Sequence, residues 1–189
     1  MKKILLASCL LGLTALYSCD DMDDKQLSVC NYESNDYTQV MDSLASLPYS
    51  VQTLGADAVT YGYGFKVEKD IKMCGIGFQS SLGNANTPYK ITIENQANNA
   101  VLMELTQTFS DTTITYVNAP LVLRNKINYI IKRTNVSEDI NSNTNSSWIV
   151  KNDSVTFPIS KGNLILTGGL APEIQSVPKI KLVFEEVVR

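Results

Sequence analysis

From residue 59 onward the apolar positions of this chain fall on every second residue. Tyr61, Tyr63, Phe65 and Val67 are separated by Gly62, Gly64 and Lys66. Tyr89, Ile91 and Ile93 are separated by Lys90 and Thr92. Val101, Met103, Leu105 and Phe109 share a parity against Glu104, Thr106 and Thr108. Ile127, Tyr129 and Ile131 repeat the pattern, and near the end Ile180, Leu182 and Phe184 oppose Lys179, Lys181 and Glu185. A period of two gives each segment one dry face and one wet face, which is the pattern of antiparallel strands. Polar, turn-forming groups punctuate the run: Glu68-Lys69-Asp70, Gln96-Ala97-Asn98-Asn99, Asn118-Ala119-Pro120, Arg124-Asn125-Lys126 and Lys161-Gly162-Asn163. The predicted fold is all-β, an antiparallel β-sandwich of about eight to ten strands. A closed barrel is the alternative architecture. The closing strand should bury Ile180, Leu182 and Phe184.

Ahead of the sandwich the period changes. Asp36-Tyr37-Thr38-Gln39 has the form of a helix start, an acidic cap followed three residues later by Gln. Val40, Leu44 and Leu47 follow at spacings of four and three, and Pro48 stops the pattern. This predicts a short lead-in helix over residues 37–47 within a domain of residues 36–189. Residues 19–35 are polar and acidic and read as a tether.

The first 18 residues read differently again. Lys2 and Lys3 precede an apolar stretch from Ile4 to Leu16, the layout of a secretory signal. The stretch is shorter than the ~20 residues that span a hydrocarbon core. Leu16-Tyr17-Ser18-Cys19 resembles the lipobox of bacterial lipoproteins, which implies cleavage before Cys19 and lipidation of its thiol. The run Asp20-Asp21-Met22-Asp23-Asp24 resembles the export signal of surface lipoproteins in the Bacteroidota. Together these imply an outer-membrane, lipid-anchored protein exposed on the cell surface.

Removal of residues 1–18 from the 189 leaves 171, enough for one domain with a real core. The mature segment holds 14 basic and 19 acidic residues, a net charge of −5 with no basic cluster, so nucleic acid is not an expected partner. Histidine is absent, which removes the commonest metal ligand and general base. No metal or cofactor is expected. Two cysteines remain after Cys9 and Cys19 are accounted for. Cys30 and Cys74 either form one disulfide or stay as free thiols, and both readings are open. A bridge would close a loop worth on the order of 4 kcal/mol in the chain-entropy model. Cys74 also alternates with Ile76 and Phe78, which predicts a thiol on the dry face of its strand.

Catalytic patterns are not expected. A serine nucleophile would need a lysine base here, and glycosidase chemistry needs two carboxylates facing across a cleft. Glu185 and Glu186 point to opposite faces of a strand and cannot form that pair. Asp139-Ile140-Asn141-Ser142-Asn143 begins like a calcium loop, but lacks glycine at the sixth place and has Val150 where glutamate belongs. It reads as a polar loop. Asp42-Ser43-Leu44, Asp111-Thr112-Thr113 and Asp153-Ser154-Val155 resemble O-glycosylation acceptors of the Bacteroidota.

The stretch from Gly62 to Arg133 is similar to a family of extracellular bacterial β-sandwich domains of unknown function. The similarity rests on Gly62-Tyr63-Gly64-Phe65, Cys74-Gly75-Ile76-Gly77-Phe78, Tyr89-Lys90-Ile91-Thr92-Ile93 and Tyr129-Ile130-Ile131. Ile93-Glu94-Asn95 stands where that family usually has a tryptophan. The resemblance implies a jelly-roll-like sandwich of the carbohydrate-binding kind and carries no catalytic residues. The expected function is therefore a non-enzymatic binding or adhesion module for glycans, with Trp148, Tyr61 and Tyr63 as candidate stacking residues. The alternative is a structural or accessory subunit of a surface assembly, whose partner is another surface protein.

Overall fold

The alternating segments become strands of two facing antiparallel sheets, accompanied among the described residues by one short helix. The computed structural model describes residues 28–33, 36–46, 51–53, 60–80, 85–136, 147–150, 156–170 and 176–187. In chain order these form β1 (Ser28–Cys30), α1 (Asp36–Ala45), β2 (Val51–Thr53), β3 (Thr60–Val67) and β4 (Ile71–Phe78). The chain continues with β5 (Pro88–Asn95), β6 (Ala100–Thr108), β7 (Thr115–Leu123), β8 (Tyr129–Asn135) and β9 (Ser147–Val150). It closes with β10 (Ile159–Lys161), β11 (Leu164–Gly169), β12 (Ser176–Pro178) and β13 (Ile180–Val187).

One sheet has the order β10-β11-β3-β8-β5-β6 and the other β1-β13-β4-β7; a smaller one has β12-β9-β2. The fold is an all-β sandwich. The chain crosses between the two large sheets at β3 to β4, β4 to β5, β6 to β7 and β7 to β8, while β5-β6 and β10-β11 are hairpins within one sheet.

The dry faces meet as the period of two requires. Tyr63, Phe65, Ile91, Ile93 and Ile131 come from the six-stranded sheet, and Met73, Ile76, Phe78, Leu123 from the four-stranded one. Ile180, Leu182 and Phe184 are buried, as the pattern of the closing strand predicts. Phe65 stacks on Tyr129 at 5.2 Å, and Phe78 meets Phe109 edge-on at 5.1 Å. Such ring pairs add about 0.5–1.5 kcal/mol each beyond area burial. Tyr63 spans the core and donates its hydroxyl to the Ile180 carbonyl at 2.6 Å, tying the sheets together.

Three features depart from the sequence reading, and one buried residue adds to it. Residues 28–33 are part of the fold rather than tether: β1 pairs with β13, and a disulfide joins Cys30 to Cys74. The dry-face position for Cys74 is corrected by a bulge: against β13, Gly75 pairs with Val183 and Met73 with Phe184, so Cys74 is an extra residue. The extra residue resets the parity, so Met73, Ile76 and Phe78 face the core while Cys74 reaches Cys30. Asn118-Ala119-Pro120 is not a turn but the middle of β7. Proline is tolerated there because β7 is an edge strand and its missing N–H costs no ladder bond. Arg133, whose parity matches Tyr129 and Ile131, points into the core and is fully buried.

The lead-in helix forms over Asp36–Ala45, inside the predicted span except at its first residue. Tyr37, Val40 and Leu44 bury one stripe of it against the core. Tyr37 stacks on Tyr63 at 6.0 Å and donates to the Pro178 carbonyl at 3.0 Å. Asp36 accepts the Asn163 amide at 2.6 Å, from the turn between β10 and β11. That turn requires Gly162, at φ 55°, because the Asp36 carboxylate lies where a Cβ would be.

Candidate binding surfaces

The three candidate stacking residues are not brought together. Tyr63 is wholly buried, so its ring is a core member and presents no face to a ligand. Burial raises its pKa well above the ordinary tyrosine value, with Tyr37 adding to the shift. Tyr61 lies one pleat further along β3, half-buried at the mouth of the sandwich. The Arg133 guanidinium sits 4.8 Å from the Tyr61 ring centre, and also against Tyr89 at 5.2 Å and Phe78 at 5.5 Å. Three rings around one cation replace part of the solvation that burial removes. The sequence signal for this was available: Arg133 shares the parity of the strand's apolar residues. The backbone of Trp148 is paired between Thr53 and Val177, and its side chain lies outside the described residues.

The strip of bare backbone at Gly62 and Gly64 is taken up within the protein. Leu170 covers Gly62 and Thr167 covers Gly64, leaving no space for a Cβ at either. The calcium-like run at 139–145 lies outside the described residues, as does the acceptor-like triplet at 153–155. Of the other two triplets, Ser43 is in α1 and bonds the Gln39 carbonyl, while Thr112 is exposed in the loop before β7. Among the described residues no group of three His, Cys, Asp or Glu is placed to hold a metal, and no helix is long and apolar enough to cross a membrane.

The chain holds one Ser-x-x-Lys run, Ser176-Val177-Pro178-Lys179, contrary to the expectation that the mature chain has none. A spacing of three puts two side chains on one face only in a helix. Here the run is the strand β12 and the residue after it, and the Lys179 ammonium donates to Gln79 Oε1 at 3.3 Å. The run lacks the helical setting in which the lysine serves the serine as base.

Two surfaces remain. On one flank β6 and β7, the outer strands of the two sheets, lie side by side. Val101 is 54 % exposed and Leu102 41 %, next to a register shift in β6. Across the flank Val122 of β7 is also exposed. Pro120 blunts the β7 edge, whereas β6 carries no proline along its nine residues.

The second is a cavity of about 200 Å³ between α1 and the start of β13, lined by Tyr37, Thr38, Met41, Asp42, Ile114, Lys179 and Lys181. Ile180 and Leu182 point into the core, so the lysines between and beside them point to the other face of β13. Lys181 donates to the Tyr32 carbonyl at 2.7 Å and to the Tyr116 hydroxyl at 2.9 Å, and Tyr116 donates onward to the same carbonyl at 3.1 Å. Tyr32 and Tyr116 pack edge-on at 4.9 Å, with Gly77 beneath the Tyr116 ring where a Cβ would collide. Residues 31–33 thus cross the outer face of the four-stranded sheet as a strap. Burial lowers the Lys179 pKa below the ordinary lysine value.

No protein-family model matches the sequence, and no curated protein matches it.

Proposed function

We propose that the protein is a non-enzymatic, lipid-anchored binding module displayed on the cell surface, with glycans as its ligand. The observation that carries the anchored-module reading is the way the chain leaves Cys19. Ser28 lies nine residues after Cys19, and from β1 onward the chain is stitched into the sandwich. At ~3.5 Å per residue nine residues reach at most about 30 Å, so the domain would stand close above its membrane. The absence of histidine from the whole chain supports a binding role over catalysis. For the ligand, Tyr61 at the mouth of the sandwich and Trp148 are the stacking residues that remain, since Tyr63 belongs to the core.

Palmitate-analogue labelling of cells tests the anchor: label is expected on the natural protein and absent from Cys19→Ala. A glycan array tests the ligand. Trp148→Ala and Tyr61→Ala should weaken a bound glycan by about 1–3 kcal/mol, the range for aromatic anchors. If Trp148→Ala instead costs about 3–5 kcal/mol of stability, that residue is a core plug and the platform is lost.

A second reading, an accessory subunit of a surface assembly, is favoured by the open β6 edge with Val101 and Leu102. An extended segment of a partner would add to that edge through main-chain hydrogen bonds. A photo-crosslinker at position 102 in living cells should then give one product of defined mass, lost in Val101→Lys. A smear of products would reject this reading.

A further inference from the structure

The two large sheets end in four outer strands, and three of them offer little to a further strand. β1 and β10 are three residues long, and β7 carries Pro120. β6 differs. It has nine residues, no proline, a single charge at Glu104, and most of its side chains in solvent. An outer strand of that length presents a row of main-chain donors and acceptors that templates another strand. The bulge beside Val101 and Leu102 marks where a regular partner would stop.

We infer that the strand added to β6 is the β6 of a second copy, antiparallel and centred on Leu105, so that the six-stranded sheet runs on from one copy into the next. This names the partner of the β6 edge and rests on the accessory-subunit reading of that edge. The register follows from parity and charge. Met103 and Leu105 pair with Ile93 and Ile91 and lie on the core side, whereas Glu104 and Thr106 pair with Thr92 and Lys90 on the outer side. Opposed residues of antiparallel strands share a face, so the two-fold axis passes through a residue and not between two. An axis at Glu104 would set two carboxylates directly opposite each other. One at Met103 would put the bulge inside the pairing, and one at Thr106 would oppose fewer residues. The axis at Leu105 opposes residues 102–108, setting Met103 against Gln107 and Glu104 against Thr106. The row that holds Glu104 then continues through Thr106 to Lys90 of the second copy, so unlike charges share it.

The orientation suits an anchored protein. The axis runs normal to the sheet, so both copies turn the same face the same way. The strap at Tyr32 lies on the outer face of the four-stranded sheet, and hence on one side of the pair. Two copies attached to a common membrane meet in this orientation. Their shared attachment raises the effective concentration, which offsets the small area of an edge contact.

The test begins with full chains in cells. Glu104→Cys and Thr106→Cys copies with different tags are co-expressed and oxidised. Directly opposed positions lie within the ~4.4–6.8 Å Cα separation that a disulfide bridges, so a product of twice the chain mass with both tags is expected. Position 104 lies about 8 Å from its own counterpart, as does 106, so either variant alone should give at least about tenfold less. A second pair of variants separates pairing from folding. Beside Lys90 of its own sheet, Thr106→Glu is the favoured change for the single chain; opposite Glu104 of the second copy, Thr106→Lys is favoured for the pair. Each substitution acts twice in a two-fold pair. The dimer dissociation constant, read by energy transfer between labelled full chains in detergent micelles, should be about threefold or more tighter for Thr106→Lys than for Thr106→Glu. No product with both tags, equal yields from either cysteine variant alone, or a dissociation constant no tighter for Thr106→Lys overturns the inference. A single product at the position-102 cross-linker whose mass differs from twice the chain's would leave the edge reading standing and overturn the second copy.

Discussion

The two flanks of the sandwich face opposite problems and solve them differently. On one, the outer strand β1 is only three residues long, yet it is paired to β13, bonded through Cys30 to Cys74 in β4, and followed by a strap that crosses the sheet to Tyr116. On the other, β6 is nine residues long, pairs only inward to β5, and turns Val101 and Leu102 to solvent. The short edge is fastened by chemistry that has little to do with strand propensity. The long edge needs no fastening, because an extensive ladder and a buried face under Met103 and Leu105 hold it. Stability in this protein should therefore be concentrated at one flank and accessibility at the other.

The largest test of that contrast is to unlock the fastened flank. Cys30→Ser with Cys74→Ser removes a cross-link over 44 residues and should cost on the order of 4 kcal/mol, read as a fall in the denaturation midpoint. Dithiothreitol should act in the same direction on the natural protein. A double variant as stable as the parent would mean that β1 and the strap hold without the bond.

Next in size is the seat of the helix. Tyr37→Phe leaves the ring on Tyr63 but removes the hydrogen bond to the Pro178 carbonyl, leaving that acceptor buried. A loss of about 1 kcal/mol is expected by chemical denaturation. A much larger loss would show that the ring, and not the bond, had been disturbed.

Between the flanks, Asp70 joins two turns by accepting from Arg124 at 2.7 Å and from the Asn125 amide at 2.9 Å. Those bonds, the Arg124 side chain's first, hold its pKa below the ordinary carboxylate value. The stabilisation is complete above about pH 4, the unfolded value, and fades as pH falls through the lower folded one. Asp70→Asn should flatten that acid limb slightly and leave neutral stability almost unchanged, since the pair is exposed.

The smallest effect on stability belongs to the open flank. Val101→Thr with Leu102→Thr should change it by no more than about 0.5 kcal/mol. A large loss in this variant would reject the view that β6 is held from its inner face alone.

The same contrast explains what was legible in the sequence. Strands with unbroken alternation, such as β3, β5, β8 and β13, declare both their type and their inward residues. Where one residue is inserted, as Cys74 is between the partners of Val183 and Phe184, the parity on either side disagrees, and alternation assigns Cys74 to the wrong face. The segment Ser28-Val29-Cys30 has too few apolar residues to announce a strand, and its place depends on partners 155 or more positions away in β13. Pro120 misleads for a related reason: proline signals a turn in isolation and an edge strand only once the neighbours are known. Arg133 is hidden by its charge, although its position between Ile131 and Asn135 puts it on the buried face. The cavity at α1 could not be read at all, because it is made by a helix, a loop and a strand that are distant in sequence.

The junction at β1 also sets a load path. A pull on the chain from its N-terminal side enters the sandwich at Ser28, at an edge strand whose few ladder bonds could be opened one at a time, like a zipper. Peeling would stop at Cys30. Beyond it the tension passes through the sulfur bridge into β4, which is flanked on both sides by β13 and β7. There the resisting bonds belong to an interior strand and must yield together. The bridge thus converts a grip at the margin into a grip at the centre, and a domain held by its N-terminal end can be tugged without unravelling from that end.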